Sequence, residues 1–234
     1  MTDTVNTDGD TAGPPWIGLG ATAAGAAAMA VLGWTVWHDL PAVIDNDTSG
    51  VGPRGEATPR GLLVAAMPLT LVGTGALFLV LAFLGLRTRP HLPAALRGSA
   101  HGTRMAADTV MGMMALMLTP LHAMVVLNAS GQQVPVVLTV GLSVGSGLVL
   151  LGLVLPRIAR LQHGEEGAAL IFARTARPLG VAVAGVGVVQ IVVAVVADEV
   201  FLATLPPLLL LPATAGAFAW PFLRHGLRLR GGER

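Results

Sequence analysis

The sequence predicts an all-α, polytopic integral membrane protein. It has six transmembrane helices, both termini cytoplasmic, and one ordered outward-facing loop between helices 1 and 2. Three observations predict this. Hydrophobic residues make up 53% of the 234 positions and charged residues 12%, with a mean hydropathy of +0.72. A soluble domain carries about 25% charged residues, so a water-facing globule is excluded. Six apolar runs each approach the roughly 20 residues that a spanning helix needs. The arginines then fall twelve on one side of those runs and two on the other, a strong positive-inside signal.

The elements follow in order. Residues 1–14 are acidic and rich in Thr and Gly, and read as a disordered cytoplasmic tail. This tail lacks the positive region of a signal peptide, so the first run is expected to stay in the membrane as an anchor. The spans are placed at about 15–37, 61–86, 105–127, 134–156, 178–197 and 200–223, followed by a basic cytoplasmic tail, 224–234. Only Asp198-Glu199 separates the last two, which requires a tight hairpin. Pro68, Pro120 and Pro206-Pro207 mark expected kinks, which a lipid-embedded helix tolerates when neighbours re-satisfy the backbone. Arg54 and Arg60 alone lie on the outer side, in the 38–60 segment. Trp16 and Trp220 then fall at the inner interface, and Trp34 and Trp37 at the outer one.

Helix association in lipid relies on small residues. The first run offers two stripes, Gly18-Thr22-Ala26 and Gly20-Ala24-Ala28, and the fourth carries a GxxxG pair, Gly141 and Gly145. The pair serves either close contact within the chain or a homo-oligomer face. Leu170-Ile171-Phe172, beside Arg174 and Arg177, reads either as a short helix in the inner headgroup region or as the first turns of the fifth span.

Ionisable and polar groups at membrane depth are candidate sites. His122 lies about 9 Å and Gln190 about 12 Å below the outer ends of their helices, at 1.5 Å per residue. Thr70, Thr119, Thr139, Ser143 and Thr204 share that half, so the sequence predicts an outward-opening crevice with Asp198 and Glu199 at its mouth. The structural alternative is that Thr and Ser bond their own helix carbonyls, and that His122 serves the carbonyl of Leu116 freed by Pro120. Asp108, four residues after Arg104, reads as a local ion pair.

Several chemistries are set aside. There is no cysteine, hence no disulfide or thiolate, and no basic patch with interleaved aromatics, so no nucleic acid is expected as partner. No HExxH, phosphate-cradling loop or serine elbow is present. His163-Gly164-Glu165-Glu166 falls in a cytoplasmic loop, and His91 and His101 lack metal spacing. No enzyme, metal or cofactor is therefore expected. Asn128-Ala129-Ser130 matches a glycosylation sequon.

Leu40-Pro41, Ile44, Gly52 and Arg60, then Met67-Pro68 in the next span, resemble the first module of SdpI-like membrane proteins. Phe172-Ala173-Arg174-Thr175-Ala176-Arg177, then Gly180, is similar to the stretch with which that family enters its fifth helix. Asp47 and Asp45 stand where the family has His and Pro, and Phe172 and Ala176 replace a Trp and a His. The resemblance implies an immunity or sensing protein that meets an extracellular peptide and acts through a cytoplasmic regulator. Its ligand surface here would comprise Asp39, Asp45, Asp47, Arg54, Glu56 and Arg60, with His122, Gln190 and Asp198 in the crevice beneath. The acidic bias of the loop would suit a cationic peptide. The alternatives are an ordered lid without ligand, a small transporter using His122, or a scaffold subunit using the GxxxG face.

Overall fold

The computed structural model describes residues 13–45, 57–88, 91, 99–161 and 168–196. Asp47, Arg54, Glu56, Asp198, the expected sixth span and the C-terminal tail lie outside the described residues. Among the described residues, five helices are long and apolar enough to cross a membrane. They are α1 (Trp16–Thr35), α2 (Arg60–Thr88), α3 (Ala100–Ala129), α4 (Val136–Leu161) and α5 (Ala168–Val196). Two short strands, β1 (Val43–Asp45) and β2 (Ala57–Pro59), pair antiparallel between α1 and α2, with Ile44 opposite Thr58.

Helices α1, α2 and α3 pack on one another, α4 packs on α3, and α5 packs closely on α4. The outer surface of this bundle is apolar: Leu69, Phe83, Leu153, Val181 and Val195 are each more than 60% exposed. A continuous surface of that kind is not stable in water and fits acyl chains. Trp16 and Trp34 are exposed at opposite ends of α1, eighteen residues or about 27 Å apart, close to the hydrocarbon thickness.

The helix starts differ from expectation at two places. Helix α3 begins at Ala100 because the Ser99 hydroxyl accepts the Gly102 N–H at 2.9 Å and caps the first turn. Helix α5 begins at Ala168, so Leu170-Ile171-Phe172 are its first turns and not a separate in-plane helix. Pro68, Pro120, Pro156 and Pro178 all lie inside helices that continue past them. The tight α3–α4 connection is held by Asn128, whose Oδ1 accepts from Val134 N at 2.8 Å while its Nδ2 donates to Val134 O at 3.2 Å. Gly131, at φ +89°, turns the chain there. The sequon asparagine is thus a loop clamp.

Glycine sets the closest approach, between α4 and α5. A Cβ at Gly145 would meet the Gly187 carbonyl oxygen at 2.8 Å, and one at Gly141 would collide with Ala194. Gly152 faces Gly180 and Ala184 in the same way. The GxxxG pair therefore serves contact within the chain, and its face is not available to a second copy. Of the two stripes on α1, Gly18 and Thr22 are buried, joined by Gly25, Met29 and Gly33, whereas Gly20, Ala24 and Ala28 face outward.

Candidate functional site

At the end of the bundle carrying the two strands, the described parts of the 38–60 segment, here called the lid, pack onto the helices. The chain leaves α1 through a turn in which Asp39 N and Leu40 N both donate to the Val36 carbonyl, at 3.0 and 3.2 Å. This drops Leu40 and Ile44, each 3% exposed, onto Val36, Leu63 and Val126. The LP-and-Ile pattern is therefore the anchor by which the segment grips α2 and α3. Arg60 N donates to Ala42 O at 3.2 Å, and the Arg60 guanidinium lies 4.6 Å above the Trp37 ring. A cation over an indole face is attractive by about 0.5–1 kcal/mol at an exposed site. His38 and Asp39 are exposed on this lid. Asp45 is the last residue of β1, opposite Ala57.

Beneath the lid, His122 is fully buried on α3, one turn from Val126. Both of its ring nitrogens lack a hydrogen-bond partner among the described residues. It does not serve the Leu116 carbonyl; the Met29 backbone faces it, short of hydrogen-bond geometry. Thr22 Oγ1, on α1 in the same three-helix core, is likewise buried without a partner. Thr119 belongs to this stripe, because its Oγ1 would lie 3.0 Å from a Cβ at Gly25. Gln190 is 1% exposed on α5, and its backbone oxygen lies against Gly141. Helices α3 and α5 do not pack extensively on one another, so His122 and Gln190 belong to different interfaces.

Three other expected crevice groups are used locally, while Asp198, Glu199 and Thr204 lie outside the described residues. Thr70 Oγ1 donates to Ala66 O at 2.8 Å, Thr139 to Pro135 O at 2.9 Å, and Ser143 to Thr139 O at 2.6 Å. For these three, the outward bias of hydroxyls is accounted for by bonds within single helices.

Two cavities lie at the opposite end, where α1 begins. The larger, about 420 Å³, is walled by α1, α3 and α4, and includes His101, Arg104, Asp108 and Thr109. The other, about 250 Å³, lies between the residues leading into α1, the end of α2 and the start of α3. Asp108 is more than the local ion pair expected of it. Its Oδ2 lies 3.7 Å from Arg104 Nε, and its Oδ1 accepts the Gly18 N–H at 2.7 Å. The position before α1 is Pro15, with no side chain to cap it. Asp108 supplies that cap from another helix and places a carboxylate at the positive end of the α1 dipole.

No family model matches the chain, and no curated protein or solved structure matches it either.

Proposed function

We propose that the chain is a six-span protein of the cell membrane with both termini cytoplasmic, and that its outer lid recognises an extracellular ligand. The family resemblance narrows that ligand to a peptide and the role to immunity or sensing, with a cytoplasmic regulator as the further partner. One observation carries the reading: Leu40 and Ile44 are buried on Val126 and Leu63 while His38 and Asp39 on the same segment stay exposed. A segment anchored in that way presents its polar groups without an ordering cost on binding, which favours affinity. Asp39, Asp45, Asp47 and Glu56 against Arg54 and Arg60 give the 38–60 segment a net acidic composition that suits a cationic peptide. Contact of the lid with Val126, one turn from His122, offers a route from lid to core.

Cells lacking the protein are challenged with secreted cationic peptides and complemented with wild type or with Asp39→Asn/Asp45→Asn/Asp47→Asn. Protection by wild type, reduced at least tenfold in the triple variant, supports the reading. Equal protection by both removes the lid from the mechanism.

A second reading, a small transporter, is favoured by the unpartnered polar atoms of Thr22 and His122 in the α1–α3 core. A buried polar atom without a partner is costly, and function is one reason to keep it. Transport unchanged by His122→Ala would dismiss it.

A further inference from the structure

The two cavities at the start of α1 share one side chain. Ile17, Leu150 and Val154 contribute apolar wall to the larger, and Leu79, Phe83 and Leu86 to the smaller. Arg104 lines both. Two apolar grooves thus run out from a single guanidinium, one on each side of the first turns of α3. Arg104 meets Asp108 through Nε alone, at 3.7 Å. Its two terminal Nη groups make no hydrogen bond among the described residues. Asp108 bonds Gly18 N through its other oxygen and lines the larger groove beside Arg104. His101, exposed, lines the larger groove one turn from Arg104. Arg87, next in sequence to Leu86, and Arg157, three residues beyond Val154, are both exposed.

We propose that this end of the bundle is a binding site for an anionic diacyl phospholipid. The phosphate sits on the Nη fork of Arg104 with His101 beside it, and the acyl chains lie one in each groove. A guanidinium fork matches phosphate bidentately. Basic pockets between spanning helices are a recurrent place for anionic headgroups. A free phosphate would use the cation and leave both apolar grooves bare; a zwitterionic lipid would fill the grooves without a net charge to complement the cations. The assignment holds whichever way the bundle faces.

The test is native mass spectrometry of the full chain, equilibrated in detergent with equal phosphatidylglycerol and phosphatidylcholine, with and without millimolar inorganic phosphate. Wild type is expected to retain phosphatidylglycerol at least tenfold over phosphatidylcholine, and inorganic phosphate should leave that ratio in place. Arg104→Gln should bring the ratio close to one, and Arg104→Lys should keep part of it. Gly112→Leu provides a check that leaves Arg104 intact. Gly112 lines the larger groove, and a Cβ there meets nothing within 4 Å, so the backbone has room for a side chain directed into the groove. The variant should lower total bound lipid at least threefold. Equal retention of both lipids by wild type overturns the proposal. So do loss of the ratio to inorganic phosphate, a ratio unchanged in Arg104→Gln, and full occupancy in Gly112→Leu.

Discussion

Asp108 on α3 accepts the backbone N–H of Gly18 on α1 at 2.7 Å, across ninety positions of sequence. Helix α1 opens Pro14-Pro15-Trp16 and carries no capping side chain of its own. One carboxylate therefore ends one helix, pairs with Arg104 and fixes the α1–α3 register. Its side chain is 13% exposed, so the bond is largely screened from water. Asp108→Ala should destabilise the bundle by about 1.5–3 kcal/mol, the range for a hydrogen bond to a charged group. Asp108→Asn keeps an acceptor oxygen and should cost about half as much. Thermal unfolding in detergent distinguishes the two, and equal midpoints for wild type and Asp108→Ala would remove the cross-helix cap.

The α4–α5 seam predicts a contrast between two glycines. A methyl at Gly145 would meet the Gly187 carbonyl oxygen at 2.8 Å, whereas one at Gly185 meets nothing within 4 Å. Gly145→Ala should push the helices apart and cost about 1–3 kcal/mol, as overpacking does. Gly185→Ala should be neutral or stabilise by up to about 1 kcal/mol, the ordinary preference of a helix for alanine. Detergent unfolding midpoints moving in the same direction for both would contradict the seam.

The lid gives a local prediction. Ile44→Ala removes a side chain that is 3% exposed in the cluster under the lid, and a loss of this kind costs about 2–5 kcal/mol. Because the five helices retain their own contacts, the loss should appear as lid opening rather than unfolding. Protease cleavage within 38–60 should accelerate at least tenfold while the helical circular dichroism is unchanged. Cleavage at the wild-type rate would show that Ile44 does not hold the lid.

Arg60 and Trp37 make a smaller one. Arg60→Gln removes the cation 4.6 Å from the indole and should blue-shift or brighten Trp37 fluorescence, at a cost of about 0.5–1 kcal/mol. A Trp34→Phe/Trp16→Phe/Trp220→Phe background isolates the Trp37 signal, and no spectral change would mean that the pair does not form.

The spans were legible because lipid demands a long apolar run wherever it is crossed, and the five runs among the described residues are helices, four with ends within about five residues of expectation and the fifth starting ten residues early, at Ala168. The errors lie where charge was read as loop. Arg174 and Arg177 belong to α5, and the exposed Arg177 shows that a long basic side chain can reach out while the helix continues. The strands were missed because three residues each, one of them Pro59, carry no readable alternation. Gly141 and Gly145 were found by spacing, but the residues they meet, Ala194 and Gly187, sit seven apart and do not form a GxxxG pattern. At the site, the depth of His122 follows from residue counting alone. That Thr70, Thr139 and Ser143 turn back onto their own helices depends on side-chain rotamers, which spacing does not specify. The cavities around Arg104 depend on three helices meeting, a tertiary fact with no local signature.

An outward lid is what the ligand-recognition account requires most directly, and the absence of cysteine makes it measurable without background. His38→Cys places a thiol on the exposed lid, and His101→Cys places one at the exposed opposite end. Intact cells are treated with a membrane-impermeant maleimide before and after lysis. The account predicts that His38→Cys labels in intact cells and that His101→Cys labels only after lysis. Labelling of His101→Cys in intact cells, with His38→Cys protected until lysis, would contradict it.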